Sequence, residues 1–406
     1  MLHTLGETVF QAMRAIYRKA PTRLKRWIEP SARDFVAWRK SKLKGKLLAI
    51  QDVLPSSAIL ANDQTLMRNI AAEFDVSAAF VEAYFQSQSL NTQGATSWAQ
   101  LEAILTPLQT MYLHFAFTTS ERAKATFHLI DKHLALSKRL NEGGGNQELK
   151  HLDIGCGYGG FVRAFAQAGY ASTGVELVPS LVRFSQLNTE HLGDRARIIE
   201  GDFLKLDSGS WPAFDVITCN DVIEHVADAH AALLKMLRML KPSGTLQMEI
   251  PNKDSIDFVI SDGHFQLFGI AQLRREEAAP YYARLVGETD YLSHMGEFHE
   301  QSFYTDRMSQ AGLKIVENFR HQIAPFEQAP AKLVALQTAW QQWQQTTRSK
   351  LEPVMAQMID ERISAYIARY EQAFSAARGQ PEAEQRFIAT YLINFWTLLG
   401  RSATTA

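Results

Sequence analysis

Residues 149–160, Leu-Lys-His-Leu-Asp-Ile-Gly-Cys-Gly-Tyr-Gly-Gly, constrain this chain more than any other stretch. A short apolar strand runs directly into a glycine-rich turn, and a helix is predicted from about Phe161. Gly155, Gly157 and Gly159 lack a Cβ, so the backbone can turn sharply and a nucleotide can approach it closely. The helix that follows points free amide N–H groups and its positive dipole end at the turn. In an open α/β sheet, that is the place of a nucleoside-containing cofactor. The glycines alone leave its identity open, because Gly155, Gly157 and Gly160 also satisfy the dinucleotide spacing G-x-G-x-x-G.

The next segments narrow the choice. A predicted strand over residues 171–175 ends in Glu176, an acid placed to take two ribose hydroxyls. A second, over 196–200, ends in Gly201-Asp202-Phe203, an acid and an aromatic able to frame an adenine. A third, over 215–219, runs into Asn220-Asp221-Val222-Ile223-Glu224-His225. Leu240-Lys241-Pro242-Ser243-Gly244 then leads into residues 245–250 and Pro251-Asn252. This ordered series resembles the class I S-adenosylmethionine-dependent methyltransferases, over about residues 148–320, and is similar to those associated with surface-polysaccharide biosynthesis. The resemblance implies a doubly wound, Rossmann-like α/β fold with a mostly parallel seven-stranded sheet. It implies that Asp153, Gly155, Cys156, Gly157, Tyr158 and Gly159 hold the methionine end of S-adenosylmethionine. Glu176 would bind the ribose and Leu177 would pack on the adenine. Asp202 would accept from the adenine amino group beside Phe203, and Asn220 and Asp221 would close the site. The competing readings are a Rossmann-like domain using NAD, or one that holds no cofactor.

The chain of 406 residues has room for two or three domains, and its 46% hydrophobic content is that of a soluble globular protein. Its net charge of −1 hides an asymmetry: residues 1–46 carry twelve Lys/Arg against three acids, a net +9, so the remainder is about −10. Trp27, Phe35 and Trp38 are interleaved with Arg26, Arg33 and Arg39, as suits an amphipathic arm on an anionic membrane surface. A solvated arm packed on the acidic remainder is the plainer alternative. Basic charge confined to one arm argues against nucleic acid as a partner. No apolar run reaches transmembrane length, and Arg14 interrupts the N-terminal apolar stretch, so no cleaved signal is expected. The expected location is cytoplasmic, peripheral on the inner membrane face if the arm binds there. Cys156 and Cys219 read as small buried residues in a reducing compartment.

Residues 47–139 are predicted helical, with apolar spacing over 66–85 and 108–136 and a helix start at Thr106-Pro107. Residues 141–146 read as a linker into a methyltransferase domain at 148–325. An insertion at 252–302 follows the carboxyl end of a strand and is read as an acceptor-binding lid. Residues 330–406 are predicted to return to helix, the last one over 387–399. Their apolar stripes are packing faces, onto the domain or in a homodimer.

Methyl transfer to a hydroxyl requires the acceptor's proton to leave, or its charge to be stabilised. Histidine suits such a base. His225, beside Glu224, and His264, in Asp262-Gly263-His264, are the candidates, with Asp262 or Glu224 as orienting partner. Asp221, Glu224 and His225 also resemble the acid–x–x–Glu–His motif of metal-assisted O-methyltransferases, in which a distant histidine such as His264 would complete a Mg or Mn site; no metal ligands are assigned. The expected activity is O-methylation of a saccharide or lipid-linked glycan hydroxyl. A diffusible metabolite or quinone precursor, methylated on O or N, is the second reading, and a non-catalytic cofactor-binding interaction protein the third.

Overall fold

The computed structural model describes residues 61–134 except 89, 148–207, 209, 211–317 and 325–402. The basic arm of residues 1–46 and the linker at 141–146 lie outside them. The chain divides into two compact units, Met1–Leu206 and Asp207–Ala406.

The first unit opens with α1 (Ala61–Glu73), α2 (Ala78–Gln88), α3 (Trp98–Ile104), α4 (Pro107–Phe117) and α5 (Thr119–Leu134). Each of the two long predicted helices is broken once. Asp75 takes the left-handed conformation, φ 47°, and separates α1 from α2. Its carboxylate is held there by Arg163 and Lys124. Thr118 ends α4 and α5 restarts at once. The expected start of α4 holds: Thr106 and Gln109 form a reciprocal capping box, with Pro107 in the first turn. Phe74, Phe80, Tyr84, Trp98 and Phe117 fill the core of this layer. Then come β1 (Lys150–Ile154), α6 (Gly160–Gln167), β2 (Ala171–Glu176), α7 (Pro179–Thr189) and β3 (Ala196–Glu200), with β2 parallel to both β1 and β3. A Cβ at Gly160 would lie 2.6 Å from the Thr119 backbone, so only glycine lets α5 meet α6 there.

The second unit holds β4 (Phe214–Asn220), α8 (Ala229–Met239), β5 (Leu240–Pro251), α9 (Ile256–Ile260), α10 (Arg275–Val286), α11 (Tyr291–His294), α12 (Gln301–Gln310), β6 (Leu313–Glu317), α13 (Ala329–Thr346), α14 (Pro353–Ala377), α15 (Pro381–Phe387) and β7 (Phe395–Ser402). The sheet has seven strands in the order β3-β2-β1-β4-β5-β7-β6, as expected for a Rossmann-like fold. β4 and β5 are parallel, whereas β7 runs antiparallel to both of its neighbours. Cys156 and Cys219 are both buried and free. No helix among the described residues is long and apolar enough to cross a membrane.

One expectation fails at the C-terminal region. The predicted third helix over 387–399 ends early, and Phe395–Ser402 is the seventh strand. The cause lies far away in sequence. The buried Asn252, just after β5, donates through Nδ2 to the carbonyls of Ala389 (3.3 Å), Thr390 (2.9 Å) and Ile393 (2.7 Å). Its backbone N–H donates to the Asn394 carbonyl. The last carbonyls of a helix need partners from outside it. Here they find one 137 to 141 residues away. The chain closes in a π turn at Ile388–Leu392 and turns into the sheet. The insertion at 252–302 is built rather than loose. Phe265, Phe268, Tyr281, Tyr282 and Tyr291 share one hydrophobic core with Leu336, Trp343, Ile359, Ile363 and Tyr366 of α13 and α14.

Replacing Asn252 by alanine removes the side-chain donor from the Thr390 and Ile393 carbonyls, whereas that of Ala389 keeps the Trp396 indole N–H. The variant is expected to lose about 2 kcal/mol of unfolding free energy in urea. A loss below about 0.5 kcal/mol would show that the amide does not secure the helix end.

Candidate active site

In the first unit the glycine turn is a backbone device. Gly155, Gly157 and Gly159 all have left-handed φ, 67°, 52° and 77°. Gly155 N–H and Cys156 N–H both donate to the Val175 carbonyl, at 2.8 and 3.0 Å, so the turn is tied to the end of β2. Glu176 completes the tie. One of its oxygens accepts from Gly157 N–H (2.9 Å), the other from Leu177 and Val178 N–H (2.8 and 2.9 Å). Its carboxylate is thus presented between the turn and the start of α7, with both oxygens oriented by backbone. Leu177, beside it, is 62% exposed, an apolar side chain left open to a flat ring. Asp153 is buried within β1. Asp202 accepts from Leu204 N–H and pairs with Lys205. Phe203 is buried, so Leu177 is the accessible apolar surface of the two. Nothing lies within 4 Å of a Cβ built on Gly157, so the turn encloses open space.

The second unit gathers the remaining candidates. Asn220 ends β4 and accepts from Gln247 at 2.8 Å, leaving its buried Nδ2 without an acceptor among the described residues. Asp221 has φ 54°, a strained value for a residue with a side chain. This sharp exit turns the chain into a short 3₁₀ segment, Ile223–His225. Glu224 is 1% exposed, and its Oε1 lies 3.8 Å from Nε2 of both His225 and His264. The two rings are edge to face, 5.0 Å between centroids. Ligand-capable atoms of Glu224, His225 and His264 all fall within 4.8 Å of one another.

Two features set the chemistry of this cluster. First, Nδ1 of His225 lies 2.8 Å from the His294 carbonyl. A carbonyl only accepts, so Nδ1 carries the proton and Nε2 presents its lone pair toward Glu224. Second, burial lowers the pKa of both rings, and for His264 burial with the adjacent His225 brings it to about 3. Both imidazoles are therefore neutral at ordinary pH. Asp262 plays a different part from the orienting one expected. It accepts from the backbone N–H of His264, Phe265 and Leu267, and lies 3.9 Å from the His264 ring, beyond hydrogen-bond reach. It shapes the loop that carries His264.

Residues 120–318 match a family model described as a methyltransferase domain. The chain carries a methyltransferase domain. It is an S-adenosylmethionine-dependent methyltransferase. Ubiquinone biosynthesis O-methyltransferase of Xanthomonas oryzae pv. oryzae (strain PXO99A) is 28% identical over 171 residues, 36% of this chain and 70% of that one. The protein of the same name from Histophilus somni (strain 2336) is 32% identical over 113 residues, 27% of this chain and 48% of its own length. Among solved structures, Haemonchus contortus phosphoethanolamine N-methyltransferase 2 in complex with S-adenosyl-L-methionine matches at 16% identity. Its TM-score is 0.34, over 67% of this chain and 52% of that one.

Sequence reasoning missed two parts of the methyltransferase's second unit, the His294 carbonyl and Gly296. Gly296 N–H donates to the Glu224 carbonyl at 2.6 Å, and a Cβ there would lie 2.2 Å from the Val226 carbonyl oxygen. The insertion is thus stitched to the Glu224-His225 turn by backbone, which leaves no motif to read. Gly296→Ala is expected to push that seam apart and lower methyl transfer by at least about tenfold, the scale of a sub-ångström misplacement. Affinity for S-adenosylhomocysteine should stay within about twofold. Wild-type turnover in a folded variant would show that the seam does not align the imidazoles.

Proposed function

We propose that the chain is an O-methyltransferase acting on a hydroxyl of a small ring acceptor such as a quinone precursor, with donor binding assigned to the first unit and acceptor handling to the second. The observation that carries it is the convergence of two neutral imidazoles on one buried carboxylate. The name of the O-methyltransferase relatives supports a hydroxyl acceptor. When bound, S-adenosylmethionine supplies an electrophilic methyl on a sulfonium centre. The open glycine turn, the oriented Glu176 carboxylate and the exposed Leu177 fit its amino-acid end, ribose and adenine in turn.

On this reading His264 Nε2 takes the acceptor's proton as the O–CH3 bond forms, when the oxygen has become acidic enough to yield it to a base of such low pKa, and Glu224 stabilises the imidazolium that results. His225, with Nδ1 committed to the His294 carbonyl, can only accept through Nε2, which suits a second hydroxyl of the acceptor. The same three side chains fit a divalent cation: two neutral imidazoles and a carboxylate suit Mn²⁺ better than Mg²⁺. Such an ion would act as a Lewis acid on the acceptor oxygen. A saccharide or lipid-linked glycan acceptor, with the arm of residues 1–46 on an anionic membrane face, is the second reading. It draws on the arm's charge and on the polar residues of the insertion. The insertion's tyrosines Tyr281, Tyr282 and Tyr291 are core residues, which removes them as a stacking platform for a sugar.

Purified protein given labelled S-adenosylmethionine and either catechol-type phenols or lipid-linked glycan fractions should label the phenols. Label confined to the glycan would reverse the order of the two readings. His264→Ala should lower transfer by about 100-fold, the usual weight of a general base. The pH profile follows from the lowered pKa values. Above a lowered pKa the imidazole is already neutral, so kcat/KM should be flat from about pH 5.5 to 7.5, where a free histidine titrates. An inflection near pH 6.5 would assign proton transfer to a histidine of ordinary pKa. Dialysis against a chelator separates the cation reading: loss of transfer restored by Mn²⁺ supports it, and unchanged transfer leaves His264 as base.

A further inference from the structure

The glycine turn is anchored by more than its own sheet. Tyr158, in the middle of the turn, inserts its ring among Phe80, Tyr84, Phe115 and Phe184, with centroid separations of 5.7, 5.8, 6.4 and 6.0 Å. The Tyr84 hydroxyl donates to the Tyr112 carbonyl at 3.4 Å, and its ring packs against that of Tyr158. The Tyr158 backbone carbonyl accepts from Nδ2 of Asn188 at 2.9 Å. Asn188 is 0% exposed, and its Oδ1 accepts from Ser77 N–H, at the start of α2, also at 2.9 Å. One buried amide therefore bridges the helical layer to the turn. Beside it, Arg163 of α6 donates to the Asn188 carbonyl (3.0 Å) and to Asp75 (2.8 Å), the residue that breaks α1 from α2. The helices before the sheet thus hold the turn through the Tyr158 ring and its carbonyl.

We propose that Asn188 is a positioning residue of the cofactor site, acting through Tyr158 to hold the glycine turn in register for the amino-acid end of the ligand. The proposal rests on the reading of the first unit as the S-adenosylmethionine cradle. A buried amide whose donor and acceptor both meet backbone fixes two segments at once, and nothing else in the turn has a side chain large enough to be gripped.

The test is calorimetric binding by the full chain, with S-adenosylhomocysteine, which carries the amino-acid tail, and 5′-methylthioadenosine, which lacks it. Asn188→Ala, and Asn188→Asp, which keeps the acceptor for Ser77 N–H but loses the donor to the Tyr158 carbonyl, should each raise Kd for S-adenosylhomocysteine by about fivefold, the scale of one hydrogen bond. Their Kd for 5′-methylthioadenosine should stay within about twofold. If Asn188→Ala does not fold, Asn188→Asp carries the test. Unchanged affinity for both ligands, or an equal loss for both, would overturn the positioning role. Failure of the wild-type chain to bind either ligand would overturn the cradle reading and this proposal with it.

Discussion

The second unit depends on one side-chain amide. Asn252 leaves the end of β5 and fastens the last turn of the C-terminal helices, which lets the chain re-enter the sheet as β7. Without that strand, β5 and β6 would have no common neighbour, since each pairs with β7 in an antiparallel ladder. The insertion that begins at Asn252 is packed against the same helices that the amide helps terminate. Sheet closure, insertion and helical region are therefore one construction, and His264 is carried on it.

What could be read from sequence alone follows the range of the forces involved. The turn at Gly155–Gly159 was legible because left-handed backbone demands glycine locally, and the α4 start because a capping box spans four residues. Glu176 was legible as an acid at a strand end, though its second task, accepting from Gly157 N–H, was not. The seventh strand was hidden. Phe387–Leu399 has apolar residues compatible with a helix, and the bonds that stop it come from Asn252. The same holds for the cluster. Glu224 and His225 were visible as neighbours, and His264 stood out by type. The His294 carbonyl that settles the His225 tautomer could not, because any residue supplies a carbonyl.

The insertion shows how composition misleads about exposure. Tyr281, Tyr282 and Tyr291 lie in a stretch read from sequence as an acceptor-binding lid, yet they are among the most buried side chains of the unit. Tyr281 donates to the Phe268 carbonyl and receives the Trp343 indole N–H, so its hydroxyl is satisfied internally. The groups that remain for chemistry are few and polar, and they lie at the seam with the Glu224-His225 turn. That seam is made by Gly296 and His294, whose backbones do what side chains do elsewhere.

The long detour before β7 also has a cost in time. Met248 in β5 pairs with Leu398 in β7, about 150 residues later. At ribosomal speeds of roughly 5–20 residues per second, that is about 10–30 s of synthesis. Throughout it, one flank of β5 has emerged without the strand that will cover it. An open strand flank is a template for pairing with other chains. The first unit has no such wait, because its three strands follow one another directly. A nascent chain of this protein therefore spends its most adhesive interval with one half able to fold and the other unable to finish.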